Sequence, residues 1–319
     1  MKRFFAVLLC SILLTPFAFS QKPADLKGDL IIFHAGSLSV PMKEIKAGFN
    51  KIYPNVNVLL ESAGSVECAR KITDLKKPCD IMAASDYGVI DKMLVPAYAD
   101  FNIRFASNEL CIIYSDKSKL KDKLNAKNWY DILMKKEVAF GRADPNADPC
   151  GYRTVMCFQL SETYYKKPGL AKQMQEKDLN YIRPKEVDLL ALLESNNIDY
   201  VFNYRSVAVQ HKLNYLLLPD QVNLKNAKYN EDYKKAVVDI KGKEPGKTDQ
   251  VKGEAMIYGI TVLKNAQNKE AAVAFLEFLL SKDQGMAILE KDGQPSVVPM
   301  EEKNYSLVPD RLKPFVKKP

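Results

Sequence analysis

Apolar positions along this chain follow two alternating rhythms. The runs 29–33 (Asp-Leu-Ile-Ile-Phe) and 56–60 (Val-Asn-Val-Leu-Leu) have strand character. Each is followed by apolar residues at helical spacing: Leu38, Met42, Ile45 and Phe49 after the first, and Val66, Ala69, Ile72 and Leu75 after the second. Residues 138–140, 198–202 and 257–262 are further strand-like runs between amphipathic stretches. Segment 270–280 predicts a long helix with Ala271, Phe275, Phe278 and Leu279 on its apolar face. This alternation predicts an α/β fold with mostly parallel sheets.

The junctions between the first strands and helices repeat a motif, Ala35-Gly36-Ser37 and Ala63-Gly64-Ser65. A strand that ends in Gly-Ser and runs into a helix presents backbone N–H groups and a hydroxyl at a helix N-terminus, a place for an anion. Two such turns in one sheet suggest an anion gripped from two sides. Ser37 and Ser65 can equally serve as helix caps.

About 300 residues exceed what one core usually supports, so two lobes are expected. No flexible linker separates them, so the chain should cross between lobes as ordered strands. The extended segments 104–114 and 254–262 are the expected crossings. They place residues 21–108 and 259–319 in a first lobe and 109–258 in a second, a clamshell with two hinge crossovers. Ligands in such open sheets bind beyond the carboxyl ends of strands, where the Ser turns sit.

The chain opens Met1-Lys2-Arg3, residues 4–19 are almost wholly apolar, and Ala18-Phe19-Ser20 precedes Gln21. This is the pattern of a signal peptide over 1–20, and it predicts an exported protein, periplasmic or surface-associated. A lipid anchor at Cys10 is the weaker reading, because Leu9 stands where a small residue should precede the cysteine. No later stretch has the length of a membrane span. Removing Lys2 and Arg3 lowers the formal charge from +8 to +6. The lysines are mixed with acids, which argues for solvated faces and against a nucleic-acid partner. Five cysteines remain: Cys68, Cys79, Cys111, Cys150 and Cys157. An odd number leaves at least one unpaired, and Cys68–Cys79 or Cys150–Cys157 disulfides are compatible with export.

Seven segments in order along the chain carry a resemblance. They are His34-Ala-Gly-Ser-Leu-Ser39, Glu61-Ser-Ala-Gly-Ser65, Asp80-Ile-Met-Ala-Ala-Ser-Asp-Tyr87, Asp148-Pro-Cys-Gly-Tyr-Arg153, Ile182-Arg-Pro-Lys-Glu186, Tyr204-Arg-Ser-Val-Ala208 and Tyr258-Gly-Ile-Thr261. Together they resemble the molybdate- and tungstate-binding proteins of ABC importers, in particular the tungstate-type branch. The resemblance implies a type II periplasmic-binding-protein clamshell that closes on tungstate or molybdate. It implies a monomer that delivers the ion to an ABC permease, performs no catalysis and needs no cofactor. Ser37 and Ser65 would supply donors from the first lobe. Asp148, the backbone at Cys150, Glu186 and Tyr204 would supply contacts from the second.

Asp148 and Glu186 need a physical reason, because a carboxylate facing a dianion is repelled by it. Molybdenum and tungsten are hard Lewis acids that can expand from four to six oxygens, so Asp148 and Glu186 could each donate one oxygen to the metal. Sulfate cannot expand in this way, and repulsion then acts against it. The resemblance implies this arrangement; the residue spacing does not establish it. Asp148 also suits an ordinary turn before Pro149, Glu186 a first-turn acid, and Tyr204 core packing. Arg153, Arg183 and Arg205 are read as supporting or surface partners. Three rivals share parts of the pattern. Tyr164-Tyr165 would suit a ferric-ion receptor of the same fold but is read as helix packing, and sulfate or phosphate would suit the Ser turns alone. Cys150 with His211 would suit a thiol enzyme, but neither histidine has an obvious orienting partner.

Overall fold

The computed structural model describes residues 25–242 and 246–319. The predicted signal peptide and Cys10 lie outside the described residues. Twelve strands build the architecture in chain order: β1 (Gly28–Ala35), β2 (Val56–Ala63), β3 (Ile81–Ala84), β4 (Ile103–Ser107), β5 (Leu110–Tyr114), β6 (Phe140–Ala143), β7 (Ile182–Arg183), β8 (Tyr200–Tyr204), β9 (Asn214–Leu217), β10 (Val237–Lys241), β11 (Thr248–Lys252) and β12 (Ile257–Val262).

Ten of them form two five-stranded sheets, one in each lobe, and β10 pairs with β11 as a separate hairpin. The first has the order β2-β1-β3-β12-β4, the second β7-β6-β8-β5-β9. In the first, β1 runs parallel to β2 and β3, and β12 is antiparallel to both its neighbours. In the second, β6 runs parallel to β7 and β8, and β5 is antiparallel to both its neighbours. Each sheet therefore has one reversed strand among otherwise codirectional ones. In both cases it is the strand that has just crossed from the other lobe, because β5 follows β4 and β12 follows the second-lobe hairpin β10–β11. The sheets are mixed for this reason. The two crossovers force one reversal on each.

The first crossing is two residues long, Asn108-Glu109. Asn108 is buried and donates to the Ser206 hydroxyl and the Tyr258 hydroxyl, both at 2.8 Å. Buried Glu109 faces Lys225 at 3.2 Å and Arg205 at 3.7 Å. The second crossing is tied to the second lobe by Ala255 N–H on Asn230 Oδ1 and Met256 N–H on the Leu224 carbonyl, each 2.9 Å.

The helix Ser39–Ile52 buries Met42, Ile45 and Phe49, the predicted stripe, against Phe275 and Phe278 of the helix Lys269–Leu280. The helix Pro149–Tyr164 is different. It is buried on nearly every side, because it packs on β6 and β8, bonds to β10 through Gln159 and Val237, and presents Tyr152 and Arg153 to the first lobe. An all-round buried helix shows little amphipathic periodicity.

Candidate functional site

Two turns of the first lobe meet two turns of the second. Gly36 and Ser37 open a short 3₁₀ turn after β1, and Ser65 begins the helix Ser65–Thr73 after β2. Opposite them lie residues 146–148, before the helix Pro149–Tyr164, and 184–186, after β7. The lobes are in contact here. Glu67 N–H donates to the Ala147 carbonyl at 3.3 Å, and Arg70 donates to the Asn146 carbonyl at 3.4 Å. The Gly64 Cα faces the Ala147 and Pro184 carbonyls, and Gly36 faces the Glu186 carboxylate, so closely that neither position has room for a Cβ.

Asp148 is an N-cap. Its Oδ1 accepts the Cys150 N–H at 2.8 Å, so the first free amide of that helix is already engaged. Its Oδ2 accepts the Glu186 N–H at 3.1 Å, which fixes the two acids side by side. Glu186 starts a 3₁₀ turn, and its carbonyl accepts from Asn203 Nδ2 at 3.0 Å. Its carboxylate is the exception in this network. Glu186 is 1% exposed, and neither of its side-chain oxygens has a hydrogen-bond partner. Burial, and then the adjacent Asp148 charge, hold the Glu186 carboxyl well above the ordinary range, although Ser37 N–H leans toward it. Asp148 is raised too, by burial, but the adjacent Glu186 carboxyl, then its two N–H bonds and the Arg153 charge, draw it back. Asp148 is therefore the better-stabilised anion of the pair, and Glu186 is the acid with unspent coordinating capacity.

Neither serine hydroxyl caps its own helix. Ser37 Oγ pairs with the Tyr258 hydroxyl at 2.9 Å, and Ser65 Oγ accepts the Ser85 N–H at 3.0 Å. Tyr204 ends β8, two residues beyond the end of the predicted run 198–202; its ring lies 6.4 Å from that of Tyr258, and its hydroxyl accepts from Arg153 at 3.2 Å. All six candidates, Ser37, Ser65, Asp148, Cys150, Glu186 and Tyr204, are buried at this junction. Cys150 presents no thiol to it, because its Sγ points at the Phe202 carbonyl, 3.7 Å away.

Ser85 and Tyr258 belong to the same network and were not singled out by the sequence reading; Arg153, read there as a supporting or surface partner, belongs to it as well. A signal was present for Ser85: β3, Ser85-Asp86 and the helix Tyr87–Met93 repeat the strand–serine–helix pattern a third time. Arg183 bonds nearby backbone carbonyls and Arg205 pairs with Glu109, both away from the acids.

The rival constellations do not assemble. Tyr165 donates to the Ala126 carbonyl and packs on Trp129 and Tyr130, and Tyr164 is 44% exposed. His211 follows the helix Arg205–Gln210 on the surface; His34 is buried on the Ala35 carbonyl, and burial lowers its pKa to about 4, so it is neutral. All five described cysteines are buried free thiols, so neither anticipated disulfide is present among the described residues. Burial pushes their pKa values up, which leaves them poor nucleophiles. Among the described residues no helix is long and apolar enough to cross a membrane.

The family model for bacterial extracellular solute-binding proteins matches residues 30–294. An uncharacterised solute-binding protein of Petrotoga mobilis is 45% identical over 92% of this chain and 91% of its own length. The molybdate/tungstate-binding protein WtpA of Pyrococcus abyssi is 42% identical over 90% of this chain and 89% of its own. The periplasmic molybdate-binding protein of Azotobacter vinelandii has the same fold: TM-score 0.60 at 14% identity, covering 85% of this chain and 99% of that one.

Proposed function

The chain belongs to the bacterial extracellular solute-binding protein family, and on that premise we propose that its lobes close on one tungstate or molybdate ion for an ABC permease. The 42% identical WtpA supports this choice of ligand. The observation that carries it is the buried Asp148–Glu186 pair, with two unpartnered Glu186 oxygens aimed at the Gly36-Ser37 turn. Sulfate and phosphate have no metal centre to take up a carboxylate oxygen, and could use only a hydrogen bond from the protonated Glu186 while Asp148 repels them. A tetrahedral oxyanion of a Lewis-acidic metal has four oxygens of its own, and one from each acid completes an octahedral set. Ser37, Ser65, Tyr204 and the backbone at Cys150 would line the oxygens. Arg153, the buried arginine of the junction, is engaged by Asp86 and so is not free to clamp the anion.

The protein acts as a receptor and not a catalyst, is exported through the segment 1–20, and works as a monomer with lobe boundaries near 108 and 258. Titration calorimetry tests the ligand assignment. Asp148→Ala and Glu186→Ala should each weaken tungstate binding by orders of magnitude while the circular dichroism spectrum is kept, and excess sulfate should not displace tungstate from the wild type. Unchanged affinity in both variants would remove the octahedral set; effective competition by sulfate would make the site a simple tetrahedral cage.

A further inference from the structure

Beside the acids, a second polar group spans the cleft. Arg153, on the second-lobe helix Pro149–Tyr164, is 2% exposed and reaches into the first lobe. Its Nη1 donates to the Ser85 carbonyl at 2.6 Å, and its Nη2 lies 3.3 Å from Asp86 Oδ2. The same Nη1 also donates to the Tyr204 hydroxyl at 3.2 Å, within its own lobe. Asp86 is held ready: its Oδ1 caps the helix Tyr87–Met93 through Gly88 N–H at 2.8 Å, and its Oδ2 also accepts from the Tyr152 hydroxyl at 2.5 Å. Ser85 in turn donates its N–H to Ser65 Oγ.

We propose that Arg153 is a cross-cleft latch: a positioning residue that holds the closed form and ties the Ser65 turn of one lobe to Tyr204 of the other. The geometry distinguishes it from ordinary packing. One guanidinium uses its fork to join a carbonyl and a carboxylate of the first lobe to a hydroxyl of the second, which a point-charge ammonium cannot reproduce. All of its first-lobe partners lie across the cleft, so opening breaks every one of them at once while leaving Tyr204. The energetics give it the character of a latch and not of a motor. A buried ion pair roughly breaks even against its solvated halves, so the pair does not close the lobes unaided. Removing one member leaves the other charge buried and unpaired, which opposes closure strongly.

The test has one arm that involves no oxyanion. Glu67 and Ala147 touch across the cleft through the N–H···O bond already described, so the cysteine pair E67C/A147C can be oxidised only while the lobes are together. In the ligand-free protein, Arg153→Met and Asp86→Asn should each slow this oxidation by about tenfold or more, and Arg153→Lys by less. The second arm rests on the proposed tungstate function. In stopped flow, Arg153→Met should speed tungstate release by about a hundredfold and change association only a few-fold. The double variant R153M/D86N should lose less than the two single effects combined, because it buries no orphan charge.

Unchanged oxidation and release rates in folded single variants would overturn the latch, as would fully additive single effects. Asp86→Asn keeps the Gly88 cap and the shape, so it decides the matter if Arg153→Met does not fold. If the wild type fails to bind tungstate but Arg153→Met still slows oxidation, the ligand assignment falls and the latch stands.

Discussion

Gly64→Ala separates closure from folding. Gly64 has φ −61° and ψ 142°, a conformation that alanine adopts without strain, so the first lobe on its own should accept the change. The obstacle lies in the other lobe. A methyl group there would stand 2.9 Å from the Ala147 carbonyl carbon and 3.1 Å from the Pro184 oxygen, and closer still to the Ala147 oxygen, where ordinary contacts begin at 3.4 Å. These are backbone atoms and cannot swing aside. The lobes must part by about 1 Å at this point, an overpacking cost of about 1–3 kcal/mol. Parting also stretches the 3.3 Å bond from Glu67 N–H to the Ala147 carbonyl and draws Asp148, the next residue, away from Ser65. At 1.4 kcal/mol per tenfold, tungstate affinity should fall about ten- to hundredfold. The melting temperature of the ligand-free protein should hold or rise slightly, since alanine restricts the unfolded chain. Calorimetry and a thermal melt on the same sample measure both. Affinity within twofold of wild type would refute the reasoning, because the contact would then have no bearing on the bound state.

The acids and the serines allow further tests. The folded Glu186 carboxyl keeps its proton well above the pH at which the unfolded chain releases it, so its burial costs more stability as pH rises through that window. Above about pH 8 His34 is neutral in both states and adds no slope of its own, so Glu186→Gln should melt higher than wild type there, increasingly so with pH, while losing tungstate. Equal melting curves would mean that the buried carboxyl carries no such cost. Ser65→Ala removes an acceptor for Ser85 N–H and should weaken tungstate and molybdate by similar factors; a loss confined to one oxyanion would contradict a general lining role.

What was legible in the sequence was local. The strands β1 and β2, the Gly-Ser turns and the apolar face of the helix Ser39–Ile52 all follow from spacing within about fifteen residues. Strand β12 has the predicted bounds, and the crossing at 104–114 resolves into two strands, β4 and β5. The runs at 138–140 and 198–202 point to real strands placed about two residues too early. Val138 N–H closes a turn on Lys135 and Ile198 N–H returns to Leu192, so pairing between β6 and β8 begins only at Phe140 and Tyr200. A three- to five-residue apolar run cannot set its own register when the partner strand is sixty residues away. The same limit applied to the site. Asp148 reads as an N-cap from its neighbours and is one; that its second oxygen holds the Glu186 amide depends on how β6 and β7 align. Arg153 reads as one residue on a helix, and its partners Ser85 and Asp86 become visible only when the lobes meet.

The two polar groups of the cleft pull closure in opposite senses. The Arg153–Asp86 pair is close to neutral in its contribution, because what it gains in contact it loses in hydration. The Asp148–Glu186 pair opposes closure, since it puts two acids out of water, one of them without any hydrogen bond to its carboxylate. The Arg153 charge offsets part of that cost, at Asp148. An oxyanion whose metal takes up both carboxylates would reverse its sign, converting the least favourable feature of the closed form into its strongest bond. A simple tetrahedral anion would offer the acids no metal to bind and set its own charge against Asp148. On this reasoning selectivity and closure are one property. The ion that relieves Glu186 is the ion that shuts the lobes, and Arg153 holds them shut afterwards, so the permease meets a closed receptor only when the right ion is inside.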